Sequence, residues 1–156
     1  MKLLVGLGNP ETKFRLNRHN VGHQFVDYAK DEFKDCGWVL RKTDTFMNES
    51  GEYVRKVLER YGLDSGSLYV VHDDLDIRIG EYKIQFAKGP KDNNGVNDIE
   101  SNMKTKNFWR VRIGVDNRDP ENRTDGADYV LSDFTSEEQS LLKIVFEKIC
   151  KELANL

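Results

Sequence analysis

Two short, predominantly apolar runs, each ending abruptly in a cluster of polar residues, limit the folds open to this chain. Lys2-Leu3-Leu4-Val5-Gly6-Leu7 stops at Gly8-Asn9-Pro10, and Leu68-Tyr69-Val70-Val71 runs into His72-Asp73-Asp74-Leu75-Asp76. Apolar runs of this length without alternation belong to strands covered on both faces. Helical spacing intervenes. Phe25, Ala29 and Phe33 fall within a predicted helix over Val21–Lys34, and Val54, Val57, Leu58 and Tyr61 within one over Glu52–Tyr61. Val96, Ile99 and Met103 suggest a third, short helix, while Gly80–Phe86 and Phe108–Val115 alternate as strands do. Thr135-Ser136-Glu137-Glu138 is a capping box that opens a last helix, with Leu141, Val145 and Ile149 as its stripe. The pattern predicts an α/β sheet covered on both faces. With 156 residues and neither repeat nor linker, it predicts a single domain over residues 1–156. In such sheets functional groups gather on the loops beyond the carboxyl ends of the strands. Here those are Gly8-Asn9-Pro10 and His72-Asp73-Asp74.

Charge narrows the partners. Lys+Arg is 24 against Asp+Glu 27, a net charge of -3, which speaks against an extensive duplex binder but leaves room for a local basic patch. No apolar run is long enough to cross a bilayer, and the amino terminus enters its strand pattern without a signal-peptide cleavage site. The two cysteines, Cys36 and Cys150, are far apart and form no CxxC, which argues against a disulfide framework or a thiolate zinc site. A cytoplasmic location without membrane association is expected.

Three histidines are present. His19 and His23 flank the start of the first helix, and with His72 or an acid they would make a metal site, although no HExxH is present and a glycine lies between them. The simpler reading makes His23 and His72 partly buried residues with hydrogen-bond partners. His19, between Arg18 and Asn20 just ahead of the helix, is placed to face a cleft. A lone histidine serves as a general base when a carboxylate fixes its tautomer, and Asp73 and Asp74 are both candidates for that carboxylate. There is no GxSxG elbow and neither cysteine has a supporting histidine nearby, so the pattern points to activated water. Asn9, Asn20, Asn48, Asn93 and Asn94 lie in turn-like segments, where carboxamides bind carbonyls and amines without adding charge. Gly6-Leu7-Gly8-Asn9-Pro10 lacks the third glycine of a dinucleotide fingerprint. Lys83, Lys88 and Lys91, with Arg110 and Arg112 alternating on the last strand, supply a modest basic face.

Taken together, these segments resemble the bacterial-type peptidyl-tRNA hydrolases. The resemblance is carried by Val5-Gly6-Leu7-Gly8-Asn9-Pro10, Arg18-His19-Asn20-Val21-Gly22 and Thr45-Phe46-Met47-Asn48-Glu49-Ser50-Gly51. It continues through His72-Asp73-Asp74-Leu75-Asp76, Asn94-Gly95 with Asp98-Ile99, and Asn107-Phe108-Trp109-Arg110-Val111-Arg112-Ile113-Gly114. The order is the family's and the segments span nearly the whole chain. The resemblance implies a twisted, mixed sheet with helices on both faces. The implied reaction is hydrolysis of the ester joining a peptide to the terminal ribose of tRNA, by a monomer acting without metal or cofactor. It implies His19 as the base, Asp73 as its support and Asn9 as the sensor of an acylated α-amino group. Asn48 and Asn94 match positions that hold the peptide end and the tRNA terminus, and Phe46 an aromatic lining the same cleft. Lys83 and Arg112 remain in the phosphate-binding region, so contact with the acceptor stem and 3′ end is expected.

The chain departs from the family pattern at several places. The stretch between the first helix and Thr45 is short, so strands are expected to be missing there, and the chain ends soon after the last helix. Phe14 stands where tyrosine is usual, Gln85 where a basic residue is usual, and Asn93 where histidine is usual. Weaker or altered tRNA binding follows as an expectation. Two other readings remain open at this level: an RNA-binding adaptor with reduced hydrolysis, and a metal-dependent hydrolase using His19, His23 and His72.

Overall fold

Leu3, Leu4, Val5 and Leu7 have no exposed surface, because both faces of the first strand are covered. The computed structural model describes residues 1–156. In chain order it contains β1 (Lys2–Gly6), α1 (Val21–Ala29), β2 (Trp38–Lys42), α2 (Ser50–Tyr61), β3 (Leu68–Arg78) and β4 (Tyr82–Phe86). These are followed by α3 (Asn94–Met103), β5 (Trp109–Asp116), α4 (Gly126–Val130) and α5 (Ser136–Ala154). The five strands lie in the order β2-β1-β3-β5-β4. β1 pairs in parallel with β2 and β3, β3 in parallel with β5, and β4 runs antiparallel to β5. The sheet is mixed, as expected.

Alternate residues of each strand feed two cores. Leu4, Val71, Val111 and Ile113 pack with Phe25 of α1 and with Leu142, Phe146 and Ile149 of α5. Leu3, Val5, Val70 and Phe108 pack with Val54 and Leu58 of α2 and Ile99 of α3. Each such aliphatic or aromatic side chain contributes roughly 1.5–3 kcal/mol on burial. That is enough to hold α5 against the sheet despite its charged outer face. Its capping box forms as read: Thr135 Oγ1 accepts from the Glu138 N–H, and Glu138 accepts from the Thr135 N–H at 2.8 Å.

Three elements around the site differ from the sequence reading. The first helix ends at Ala29 rather than Lys34, and the turns that follow include Asp35 and Gly37 at positive φ; Phe33 is nonetheless buried. The short stretch before Thr45 still carries a strand, β2, at the sheet edge. Its residues are only partly buried, so no clear apolar pattern marks it. β3 does not stop at Val71. Parallel pairing with β5 continues through His72, Asp73 and Asp74, opposite Arg112, Ile113 and Gly114, before the register shifts. The acidic cluster is therefore the carboxyl-terminal half of a strand, not a loop. Backbone pairing carries the strand onward because buried partners satisfy its polar side chains.

The approach of α1 to the sheet depends on Gly22. A Cβ there would lie 2.6 Å from the Leu7 nitrogen and would also collide with the Val71 carbonyl oxygen. A bare backbone at this point lets the turn ahead of α1 reach the ends of β1 and β3.

Candidate active site

The turn Arg18–Asn20 carries His19 and is clamped on both sides. On one side, the buried Arg18 guanidinium donates to Glu138 Oε2 at 2.9 Å and lies over the Tyr129 ring, 4.2 Å from its centre. Burial alone would raise the Glu138 carboxyl, but hydrogen bonds from Thr135 and Asn117, with the Arg18 charge, hold it below the usual carboxylate range. On the other side, the buried Asn20 amide accepts from the Asn9 N–H at 2.9 Å and donates to the Asn9 carbonyl at 2.8 Å. Asn20 thus ties the His19 turn to the loop after β1.

So held, His19 places Nδ1 2.7 Å from Asp73 Oδ2 on β3. Of the two carboxylates open at the sequence level, Asp73 meets the histidine, while Asp74 Oδ2 accepts from Arg112 Nε at 2.8 Å. Burial disfavours the charged imidazolium of His19, but the Asp73 carboxylate more than offsets this and raises its pKa above the ordinary 6.5. Because Asp73 accepts from Nδ1–H, the neutral ring leaves Nε2 free to accept a proton.

Nε2 has no protein partner, and His19 lines a cleft of about 800 Å³ beyond the carboxyl ends of the strands. Asn9, Phe46, Asn48 and Asn94 line the same cleft. Asn9 Oδ1 accepts from the Met47 N–H at 3.0 Å, which fixes its amide so that Nδ2 is left as a donor without a protein partner. Leu75, Val130 and Leu131 add apolar wall, and Lys91, Arg118 and Arg123 add positive charge. No serine, threonine or cysteine lines the cleft. An imidazole nitrogen without a protein partner, with amide donors on either side, can activate a bound water.

Other residues named from the sequence lie elsewhere. Phe14 is half-buried beneath the Lys13 ammonium and does not line the cleft. Lys83 is exposed on β4, also off the cleft lining. Arg112 is only 9% exposed, and besides Asp74 it donates to Gln85 Oε1 at 2.7 Å. Gly89 covers it so closely that a Cβ there would lie 2.6 Å from its Cζ. Gln85, which stands where a basic residue is usual, therefore takes up the arginine internally. Sequence reasoning missed this, and it also missed Arg118 and Arg123, which are paired with Asp116 at 2.7 and 3.0 Å. The position of Asn93 directly before a helical pattern was a readable capping signal.

The remaining histidines are structural. His72 is fully buried, its Nδ1 2.8 Å from the Asp73 carbonyl oxygen, and burial lowers its pKa. His23 Nε2 lies 2.9 Å from Thr43 Oγ1; burial, aided by Lys42, lowers its pKa to about 4. The three histidines thus have separate partners, and no three His, Cys, Asp or Glu side chains converge on one point. The pKa of His23 predicts an acid-sensitive fold. Its folded value lies below its unfolded 6.5, so its contribution is complete above pH 6.5 and is lost as pH falls toward 4, up to roughly 3 kcal/mol. His72 has the same sign, and His19 the opposite. Urea midpoints should fall between pH 7 and pH 5, and His23→Gln should flatten that slope; an unchanged slope would contradict the assignment.

A mixed-sheet α/β scaffold thus carries an imidazole–carboxylate pair at an amide-lined cleft with no serine, threonine or cysteine in its lining. The family profile described as Peptidyl-tRNA hydrolase matches residues 3–35 and 28–156, nearly the whole chain. A protein named peptidyl-tRNA hydrolase from Pseudothermotoga lettingae is 40% identical over 95% of this chain and 86% of its own length. Another so named, from Bacillus cereus, is 36% identical over 99% and 94%. The crystal structure of peptidyl-tRNA hydrolase from Acinetobacter baumannii superposes with a TM-score of 0.84 at 28% identity, covering 97% of this chain and 85% of that one. The chain belongs to the peptidyl-tRNA hydrolase family. A hydrogenase maturation protease from Thermococcus kodakarensis, 12% identical with a TM-score of 0.56, shares the fold alone. No helix is long and apolar enough to cross a membrane.

Proposed function

We propose that this chain hydrolyses the ester between a peptide and the 3′-terminal ribose of tRNA, with His19 as the base. The observation that carries the reading is the 2.7 Å contact between His19 Nδ1 and Asp73 Oδ2, with Nε2 left open to the cleft. Nε2 takes a proton from water as the water oxygen attacks the ester carbonyl. The tetrahedral intermediate then collapses, the bond from the carbonyl carbon to the ribose oxygen breaks, and the imidazolium returns the proton to that oxygen. Peptide acid and tRNA with a free hydroxyl leave. Asp73 holds the ring in the required tautomer and stabilises the transient imidazolium.

Selection for peptidyl over aminoacyl substrates falls to Asn9. With its oxygen taken by Met47, it presents an N–H donor. The carbonyl of an N-acylated substrate accepts from it, whereas a free ammonium has only donors to offer. Asn48 and Asn94 hold the peptide end and the terminal nucleotide, and Phe46, Leu75 and Leu131 offer apolar surface to side chains. The reading is tested by release of labelled peptide from N-blocked aminoacyl-tRNA, with unblocked aminoacyl-tRNA as control. Release from the blocked substrate, unaffected by chelator, is expected; equal release from both substrates, or none, would contradict it.

The tRNA backbone meets the exposed cations rather than Arg112. Lys83 and Lys91 are exposed, and Arg123, although bonded to Asp116 at 3.0 Å, keeps an exposed side chain at the cleft that can also contact phosphates, whereas Arg112 is buried between Asp74 and Gln85. Lys83→Ala and Arg123→Ala should each weaken tRNA binding and reduce the slope of log affinity against log salt by about 1. Arg112→Ala should lower Tm and leave that slope in place. A loss of slope in Arg112→Ala alone would reverse the assignment.

A further inference from the structure

The carboxylate beside His19 has a second partner. Asn93 Nδ2 donates to Asp73 Oδ1 at 3.1 Å and to the Asp73 carbonyl oxygen at 3.2 Å. The same side chain turns its oxygen to the Val96 N–H at 3.1 Å, capping α3. Asn93 is only 6% exposed, so neither bond competes with bulk water. One oxygen of Asp73 is thus occupied by Asn93 and the other by His19. Anchoring Oδ1 to the start of a helix fixes the carboxylate about its Cβ–Cγ bond and aims Oδ2 at the imidazole.

We propose that Asn93 is a positioning residue for the reaction, acting through Asp73: it locks the orientation of the carboxylate that braces His19. The inference rests on the reading of His19 and Asp73 given above. Without this donor, Asp73 is free to turn Oδ1 or Oδ2 toward other groups at the cleft, of which Lys91, Arg118 and Arg123 are cationic and Asp76 and Asp92 anionic. His72 and the Asp74–Arg112 pair lie behind it on the sheet and offer no alternative anchor, since Asp74 and Arg112 are already bonded to each other. The carboxamide performs both tasks because it carries a donor and an acceptor on one group.

Asn93→Ser separates the two tasks. Serine caps a helix about as well as asparagine, so α3 and the fold are retained, but its hydroxyl is too short to reach Asp73. The expected result is a fall in kcat of about three- to tenfold, the range one such hydrogen bond supports, with KM within about twofold. The pKa of the His19 imidazole, followed by NMR titration of the folded protein without substrate, should drop, because a loosely held Asp73 no longer offsets the cost of burying the charged ring. In an Asp73→Ala background the serine substitution should leave kcat within about twofold, since nothing remains to aim. An unchanged or raised His19 pKa, or an undiminished loss in the Asp73→Ala background, would overturn the proposal. Failure of the underlying reading would register separately, as full turnover by His19→Ala.

Discussion

His19→Ala is expected to lower kcat for an N-blocked aminoacyl-tRNA by roughly 10²–10⁴-fold, the range a positioned general base supplies. Substrate affinity should stay within about threefold, because the amides and cations lining the cleft are untouched. The fold should also persist. His19 lies in a turn held by its neighbours, Arg18 on Glu138 and Asn20 on Asn9, rather than by its own ring. The residual rate should follow hydroxide concentration without the wild-type inflection. Binding assays and pre-steady-state release distinguish this outcome from misfolding; a variant that binds normally and turns over at more than about a tenth of the wild-type rate would remove His19 from the role.

Asp73→Asn should be nearly as damaging, for a reason specific to this site. Asn93 presents an N–H to the inner oxygen of residue 73. In the variant that donor keeps the amide oxygen on its own side, so the new NH₂ faces His19. Nδ1 must then accept, which puts the ring proton on Nε2, the nitrogen that has to receive a proton from water. A fall in kcat of about 10²-fold or more is expected from the wrong tautomer alone. The pH dependence should move as well. The base works when neutral, so activity rises through the pKa of His19, which Asp73 raises above 6.5. Removing the carboxylate leaves only the burial cost and shifts the acidic limb to lower pH. A limb that stays in place, with kcat changed less than about threefold, would mean that another group supports the imidazole.

Much of this site was readable in the chain because it stands where apolar patterns stop. β1 and the first half of β3 announce themselves as buried strands, and of the polar residues that follow them, Asn9 lines the cleft and the buried Asp73 meets His19, which does. The capping box at Thr135 was equally explicit, though not that Glu138 also anchors Arg18. What escaped notice depends on contacts distant in sequence. β2 is a half-exposed edge strand whose identity comes from pairing with β1 rather than from its own pattern. β3 continues past Val71 because β5 pairs with it, and its acids are satisfied by His19, Asn93 and Arg112, none of them local. Arg112 illustrates the limit of reading charges from a strand. Alternation places it on a face, yet only the fold shows that Asp74 and Gln85 have claimed it before any phosphate arrives. Asn93, a departure from the family pattern in the sequence, is in the structure the anchor of the carboxylate.

Single-turnover release of a labelled N-acetylaminoacyl group from tRNA, followed from about pH 5 to about pH 9 in the wild type and in His19→Ala, bears on the chemistry with least intervening interpretation. The wild-type rate should climb through one ionisation above pH 6.5 and then level off, while the variant loses the plateau and keeps only the slow hydroxide-driven rise. If both proteins traced the same curve, an imidazole braced by Asp73 would not be what activates the water.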